Sequence, residues 1–412
     1  MRSFEEHLQA VVQSSRLTKR ELASGECQSP DARRCTLCHA VDLDYVSEVA
    51  IKDQALCSFL QACVPSRVIS PLTPSPLGRG YRTVTKRRVF RYRGTTTLGL
   101  IAPAGEGSYK PFDVVHCAIE PAAHAPIYRQ IHEALGKMVY QPLAEVLRYV
   151  VIKGSYSEYT LILSVGEISP GVVSATNTLS RSLTHACKEI VALFLYEDKS
   201  DGRYYLGSQD ASRSGFRKIF GNKEIFQRIG GRSFLYSPLS FSQVNISLAD
   251  QFVAKAGELL ALDGEMMLFD LYCGYGLFAL CLAERVKAVI GVDSGAESIA
   301  SAVANATRQR VRNARFIRSA ISAETISRII MHIRPRDVVL LDPPRSGTTE
   351  GVIESIASRR PAKALHIFCN IDIMHAELKR WKDSGYAVSK VVPFDMFPGT
   401  SSVEIMVLLS PA

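Results

Sequence analysis

In the second half of the chain, short apolar runs alternate with segments that are long enough to form a helix. The runs cover residues 266–272, 288–292, 314–317, 338–341, 364–368 and 387–392. Buried strands that alternate with helices are typical of an α/β fold with a doubly wound, mostly parallel sheet. A last apolar run at 403–409 follows a short loop instead of a helix. We therefore predict that it forms an antiparallel hairpin with the preceding strand, at an edge of the sheet.

The first half of the chain has a mixed pattern. A helix is predicted at 44–60, behind a group of cysteines, and residues 65–80 contain four prolines and are predicted to be a loop. Beyond residue 80, strands are predicted at 83–94, 96–105, 203–206 and twice within 148–165, and helices at 127–147 and 178–195. The predicted division is a cysteine-containing segment at 1–64, an α+β middle domain at 65–240 and the α/β domain at 241–412.

The composition restricts the class of protein and its expected location. A chain of 412 residues exceeds one ordinary domain, and 47% hydrophobic with 22% charged residues is typical of a globular protein. No apolar run approaches the roughly 20 residues of a membrane helix, and the polar N-terminus lacks a signal-peptide core, so we expect a cytoplasmic, monomeric protein. The ten cysteines would then occupy a reducing compartment, where metal ligation or catalysis is more common than a disulfide framework.

The charge distribution is consistent with a polyanionic partner. The formal net charge is +9. Basic residues crowd the first predicted hairpin and alternate with aromatic residues: Arg79, Tyr81, Arg82, Lys86, Arg87, Arg88, Phe90, Arg91, Tyr92 and Arg93. Such a run is often only a solvated face, but it also suits phosphate and base-stacking contacts with RNA.

The first strand of the α/β domain runs into a glycine turn that is suited to a nucleotide-like cofactor. Asp270 ends the strand, and Gly274 and Gly276 would allow a ligand to approach the backbone closely. Asp293 ends the next strand, where a carboxylate can bind ribose hydroxyls. A third glycine is missing after Gly276, which favours an adenosyl cofactor over NAD. A tight turn without a ligand is the alternative.

A candidate nucleophile and a candidate base follow further along the domain. Cys369 lies at the end of an apolar strand, where a cysteine is otherwise often a small buried hydrophobe. The segment Asp342-Pro343-Pro344-Arg345 ends the neighbouring strand, so Asp342 or Arg345 could orient a base or tune the thiol. Glu404 interrupts an apolar strand, where burial would raise its pKa towards that of a general base.

A thiol, a methyl-donor fold and a carboxylate fit methylation of uracil at C5. Thiolate addition to C6 activates C5 for methyl transfer, and a base then removes the C5 proton. Five motifs resemble those of the RNA uracil-C5 methyltransferases: FSQVN (241–245), DLYCGYG (270–276), LDPPRSG (341–347), FCN (368–370) and FDMFPGTSSVE (394–404).

The resemblance implies roles for particular residues. Cys369 would be the nucleophile and Glu404 the base. Positions that match the family's S-adenosylmethionine and active-site residues are Gln243, Tyr272, Gly274, Gly276, Asp293 and Asp342. Two positions depart from the family pattern: Ser242 replaces a usual aromatic residue, and Leu277 stands where many relatives have glycine or a polar residue. Only one cofactor contact, at Leu277, is put in question.

The cysteines Cys27, Cys35 and Cys38 have the spacing C-x7-C-x2-C, and Cys117 follows a strand-rich stretch. From the residues alone, a zinc site or scattered thiols are alternatives. The family resemblance implies four ligands of a [4Fe-4S] cluster, as in members that modify large-subunit ribosomal RNA and lack an N-terminal barrel. We therefore expect 5-methyluridine formation in 23S rRNA. Methylation of tRNA, or RNA binding without turnover, are the alternatives.

Overall fold

The computed structural model describes residues 3–15, 38, 43–92, 95–105, 108–114, 116–200, 206 and 215–412. Its described part contains two seven-stranded sheets and a separate two-stranded hairpin. One large sheet belongs to the middle of the chain and the other to its second half. The α/β class predicted for the second half is confirmed.

The C-terminal sheet places five parallel strands side by side. Its strands are β10 (Met267–Leu271), β11 (Ala288–Asp293), β12 (Ala314–Arg318), β13 (Val338–Leu341), β14 (Lys363–Phe368), β15 (Tyr386–Phe394) and β16 (Glu404–Pro411). Their order is β12-β11-β10-β13-β14-β16-β15. The chain reverses its direction of winding between β10 and β13, and ligands bind at such a switch, beyond the carboxyl ends of the strands.

The last strand is not at the edge of the sheet. β16 pairs antiparallel with both β14 and β15, so it is the inner strand of the hairpin, and β15 is the outer one. The hairpin as a whole forms an edge of the sheet, as predicted. All six residues from Glu404 to Leu409 are buried, which is typical of a strand that is covered on both faces. The helices of this half are α6 (Ala249–Leu260), α7 (Leu277–Leu282), α8 (Ala296–Arg308), α9 (Ala323–Ile329), α10 (Val352–Ser358) and α11 (Met374–Asp383).

The middle sheet is mostly antiparallel. Its order is β3-β2-β1-β4-β5-β6-β7, and only β5 and β6 run parallel. The strands are β1 (Val84–Tyr92), β2 (Thr95–Gly105), β3 (Ser108–Asp113), β4 (Leu147–Gly154), β5 (Tyr159–Val165), β6 (Ile190–Glu197) and β7 (Phe216–Gly221). The hairpin of β8 (Ile225–Ile229) and β9 (Arg232–Tyr236) follows.

Two helix predictions in this region need correction. The helix predicted at 178–195 is α5 (Pro170–Ala186), which ends before the apolar run of β6 begins. The helix predicted at 127–147 is divided into α3 (His124–Leu135), a 3-10 turn and α4 (Gln141–Val146). Gly136, at the end of α3, explains the first break. Most of the strand predicted at 203–206 lies outside the described residues.

The N-terminal helices pack on the C-terminal sheet. α1 (Phe4–Ser14) and α2 (Tyr45–Leu60) contribute Phe4 and Phe59 to the same buried cluster as Phe269 of β10 and Val391 of β15. Residues 69–73 then run parallel to β15, with bridges at Ile69 and Thr73. The predicted domain boundaries stay a prediction, but the first segment shares its core with the sheet that carries the candidate site.

Candidate active site

The turn after β10 has the backbone conformation that its glycines allow. Gly274 and Gly276 have φ values of 55° and 87°, and Tyr272 has a φ of 65°. A Cβ at Gly276 would lie 3.2 Å from the Phe316 ring, so the space there is also limited. A left-handed conformation at Tyr272 is uncommon for a residue with a side chain, and such strain often occurs at functional sites.

Three carboxylates surround this turn, and we call Asp270, Asp293 and Asp342 the acidic cradle. Asp293 accepts hydrogen bonds from Gly274 N at 3.0 Å and Gly295 N at 2.7 Å. Asp270 is fully buried; its Oδ2 accepts from Ala279 N at 2.9 Å, and its Oδ1 has no hydrogen-bond partner among the described residues. Burial, together with the charges of the other two carboxylates, raises the pKa of Asp270 to about 8. A concentration of buried carboxylates would be stabilised by a cationic ligand.

The structure brings Cys369 and Glu404 together through strand pairing. Phe368, the last residue of β14, pairs with Ile405 of β16. Because the strands are antiparallel, the next pair in this register is Cys369 opposite Glu404. Residues that are directly opposite each other point to the same face of a sheet, with Cβ atoms about 4.5–5.5 Å apart. Two residues that are distant in the sequence therefore face one another.

The surroundings of the Cys369 thiol favour its protonated form. Burial raises the pKa of Cys369 to about 12, and the negative charges of Glu404 and Asp342 act in the same direction. The Arg345 guanidinium opposes them and lowers this pKa. The thiol Sγ lies 3.8 Å from Pro343 O, within the loop that follows β13. Formation of a thiolate here requires a change in the local charges, such as binding of a cation.

The Glu404 carboxyl is buried, and its Oε2 has no hydrogen-bond partner within the described part of the chain. Burial and the neighbouring Asp342 carboxylate raise the pKa of Glu404 well above its usual range. Burial also raises the pKa of Asp342. Two buried carboxyls that repel one another favour a state in which one of them holds a proton. An unsatisfied oxygen in such a position is available to a substrate.

The loops around the thiol are connected to one another. Asn370 donates from Nδ2 to Arg345 O at 3.0 Å, which joins the two segments that follow β13 and β14. Asp342 N donates to Leu271 O at 3.2 Å, which joins the first of these segments to the glycine turn. The thiol and the acidic cradle therefore belong to one continuous site at the carboxyl ends of the strands.

The FSQVN segment lies between this site and the middle sheet. Gln243 is 6% exposed and Ser242 is 3% exposed, whereas the Phe241 side chain is 63% exposed. Leu277 is buried with the apolar core of the sheet, which accounts for an apolar residue at this departure from the family pattern. Ser242 is likewise enclosed, next to the buried Tyr236 hydroxyl.

Lys153, at the end of β4, is a structural residue of the site that was not predicted from the sequence. Its buried ammonium donates to Pro238 O at 2.9 Å and Ser240 O at 2.6 Å, just before the FSQVN segment. Burial lowers its pKa to about 7. In the sequence, Lys153 is recognisable as a charged residue at the end of an apolar strand, where a buried charge needs hydrogen-bond or ionic partners. Lys153 thus links the middle sheet to the segment that carries Gln243.

The basic hairpin is less available to RNA than its sequence indicates. Arg87 is fully buried and forms two hydrogen bonds of 2.8 Å with Glu120, so its assignment to phosphate contacts is wrong. Tyr81 is also fully buried and donates to Pro398 O, which excludes base stacking. Lys86 is exposed, and Arg88 lies 5.7 Å from the ring of Phe90. Arg93 lies outside the described residues.

Two cysteines of the predicted cluster, Cys38 and Cys117, lie within the described residues. Cys27 and Cys35 lie outside the described residues. Cys38 and Cys117 both act on the pKa of the buried Tyr81, and the charge of Cys38 contributes to a raised pKa of Cys117, so the two thiols are neighbours. Across the ranges that the structure describes, no three His, Cys, Asp or Glu side chains form a metal site. Of the helices within those ranges, none has the length and apolar character needed to span a bilayer.

Comparison with known proteins gives consistent results. Residues 209–412 match the family described as tRNA (uracil-5-)-methyltransferase. An uncharacterized RNA methyltransferase of Clostridium tetani is 27% identical over 80% of this chain and 70% of its own length. Another, of Streptococcus agalactiae, is 27% identical over 90% of this chain and 81% of its own length.

A solved structure shares the fold. It is a tRNA (uracil-54, C5)-methyltransferase of Pyrococcus abyssi in complex with S-adenosyl-L-homocysteine, 23% identical, with a TM-score of 0.63. The likeness covers 89% of this chain and 84% of that one. With a family match over its C-terminal half and RNA methyltransferases among its relatives, this chain belongs to the RNA uracil-C5 methyltransferases.

Proposed function

We propose that the protein transfers a methyl group from S-adenosylmethionine to C5 of a uridine in 23S rRNA. The observation that carries this proposal is the antiparallel pairing of β14 with β16, which ends at Phe368 and Ile405. Continued by one residue, this register sets Cys369 opposite Glu404, and the charge of Glu404 acts on the pKa of Cys369. The cofactor's sulfonium is a cation, and a site with three buried or half-buried carboxylates suits it. The residues that would hold it are Gln243, Tyr272, Gly274, Gly276, Asp293 and Asp342.

Cys369 begins the proposed reaction on the uracil. Its thiolate adds to C6, the C5–C6 double bond opens, and the electron pair passes to C5 and the C4 oxygen. Bound S-adenosylmethionine would supply an electrophilic methyl group to C5 and would leave as S-adenosylhomocysteine. Arg345 and the positive charge of the ligand both favour the thiolate, since each opposes the negative charges that raise the pKa of the thiol.

Glu404 completes the reaction. The adduct carries a proton and a new methyl group on C5, and the Glu404 carboxylate removes the proton. The electron pair of the C5–H bond restores the double bond and expels the Cys369 thiolate from C6. The Oε2 of Glu404 is suited to this step because no donor among the described residues competes for it.

Ribosomal RNA is proposed as the target because the cysteine spacing resembles that of the rRNA branch. The matching family and the Pyrococcus abyssi methyltransferase are both named for tRNA, so tRNA is the second candidate. An RNA-binding factor without turnover is less favoured, because both reactive side chains are present and face one another.

The RNA target can be identified directly. In a deletion strain, we expect 5-methyluridine to disappear at one position of 23S rRNA and to remain in tRNA, as measured by mass spectrometry of purified RNA fragments. A plasmid copy should restore it, and a copy with Cys369→Ala should not. Loss from tRNA alone would reassign the substrate, and unchanged methylation in both RNAs would refute the proposal.

The neighbouring carboxyls of Asp342 and Glu404 predict that the rate of turnover depends on pH. Glu404 must be ionised to accept a proton, and its pKa is raised, so turnover should increase with pH well above the usual carboxyl range near 4.3. Asp342→Asn removes a negative charge that raises the pKa of both Glu404 and Cys369. The acidic limb of the profile should therefore move to lower pH, even if the maximum rate falls. An unmoved limb would contradict the assigned role of this charge.

We also propose that Cys27, Cys35, Cys38 and Cys117 hold a [4Fe-4S] cluster. The proximity of Cys38 and Cys117 fits this set, and ligation by iron would offset the cost of ionising a buried thiol such as Cys117. Anaerobically purified protein should be brown and contain about four irons per chain. Because methyl transfer needs no electron, Cys117→Ser should reduce folding and RNA binding first. Colourless protein with stoichiometric zinc would overturn the cluster and leave the methyltransferase proposal intact.

A further inference from the structure

The turn between β15 and β16 is bound by side chains from α2. This turn covers residues 395–403, and Glu404 follows it directly. Lys52 donates from Nζ to Asp395 Oδ1 at 2.6 Å, and Tyr45 donates its hydroxyl to Asp395 Oδ2 at 3.0 Å. The side chains of Lys52 and Asp395 are 1% and 0% exposed. A buried ion pair gives little net stability but can specify one conformation.

A second contact from α2 holds the far side of the same turn. Glu48 accepts a hydrogen bond from Gly399 N and pairs with Arg79 Nη1 at 2.8 Å. Gly399 has a φ of 82°, which favours glycine, and a Cβ there would lie 3.3 Å from Ile119. Tyr45, Glu48 and Lys52 are spaced by three and four residues, so they form one face of the helix. That face bonds the turn at both Asp395 and Gly399.

Three consecutive carbonyls of the turn are also bonded from outside it. Met396 O accepts from Asn245 Nδ2 at 3.2 Å, Phe397 O from Lys52 Nζ at 3.2 Å, and Pro398 O from Tyr81 OH at 3.1 Å. The Glu404 Oε2, in contrast, has no hydrogen-bond partner among the residues that the structure describes. The direction of the carboxyl group is therefore set by the backbone that leads to it, and that backbone is held by Lys52, Tyr81 and Asn245.

We propose that Tyr45, Glu48 and Lys52 are positioning residues for Glu404. They fix the turn so that the carboxyl faces Cys369, and they do not touch the reacting atoms. This inference rests on the function proposed above. It implies that α2 acts on the removal of the C5 proton and on the release of the enzyme, and leaves thiol addition and methyl transfer unaffected.

The test separates the two halves of the reaction with Glu48→Ala and Glu48→Gln. Rapid-quench measurements on rRNA give the rate of the first methyl transfer, and denaturing gels give the decay of the methylated adduct. Glu48→Ala should slow adduct release about tenfold, which corresponds to the loss of one hydrogen bond to a charged group. Methyl transfer should be unchanged, so adduct should accumulate. Glu48→Gln retains an acceptor for Gly399 N and should restore release.

Controls keep the inference separate from the proposed function. Val46→Ala changes a side chain of the same helix that is 80% exposed, and it should behave as the unmodified protein. If Glu48→Ala fails to fold, Tyr45→Phe removes only one hydroxyl and is measured in the same way. A proportional loss of methyl transfer and release would overturn the positioning role. If the methylated adduct accumulated in Glu404→Gln but not in Glu48→Ala or Tyr45→Phe, the positioning role would be refuted and the proposed function would stand. If no variant accumulated the adduct, the proposed function would be refuted.

Discussion

RNA with 5-fluorouridine at the target position is expected to form a complex with this protein that survives a denaturing gel. Fluorine at C5 cannot leave as a proton does, so the adduct cannot eliminate once methyl transfer has occurred. Cys369→Ala should remove the complex and reduce methylation of ordinary RNA by about 10⁴-fold or more, the scale at which loss of a covalent nucleophile acts.

Cys281→Ala is the matched control for this prediction. Cys281 lies on α7 in the same domain as Cys369, and burial likewise raises the pKa of its thiol. The Cys281 thiol contacts Ile229 and Gly230, away from the Cys369 thiol. This variant should still be trapped. A complex that persisted in Cys369→Ala and disappeared in Cys281→Ala would show that the nucleophile is another cysteine.

With ordinary RNA, Glu404→Gln should increase the amount of covalent complex, whereas Cys369→Ala should remove it. The amide cannot accept the C5 proton, so addition and methyl transfer should proceed while elimination falls by about 10²–10⁴-fold, the range attributed to general acid–base catalysis. A methylated covalent adduct should therefore accumulate without fluorine. Denaturing gels and mass spectrometry of the adduct measure this directly.

Glu377→Gln provides a buried control. Glu377 also has a raised pKa, but its Oε1 accepts from Thr348 and Arg380. Replacing Glu377 should lower the free energy of unfolding before it changes the rate of proton removal, and no adduct should accumulate. Turnover near that of the unmodified protein in Glu404→Gln would assign the proton to another group or to water.

The C-terminal fold could be predicted well because strands buried on both faces are uninterrupted apolar runs. All seven predicted runs overlap strands β10–β16. The position of β16 could not be obtained from its hairpin with β15, since a hairpin does not specify which strand is outermost. The middle sheet was harder, because the polar helix α5 and the apolar strand β6 are separated by only three residues.

Motif spacing located the candidate site, but it could not distinguish exposed from buried charges. Arg87 and Lys86 are adjacent in the sequence, and only the strand's alternation decides which of them is buried against Glu120. Lys153 and the α2 contacts to Asp395 depend on elements that are far apart in sequence. The assignments of Cys369, Glu404 and the cofactor residues stay predictions until variants are measured, and so do the cluster, the monomeric state and the cytoplasmic location.

The position of β16 between β14 and β15 has a consequence for biosynthesis. A ribosome releases β14 and β15 before β16, and in the finished sheet these two strands are not paired with one another. While the nascent chain lacks its final strand, β14 has an unpaired edge and Cys369 has no carboxylate opposite it. The proposed pair of Cys369 and Glu404 is therefore completed only as the last strand inserts, and under the proposed function incomplete chains would be inactive on RNA.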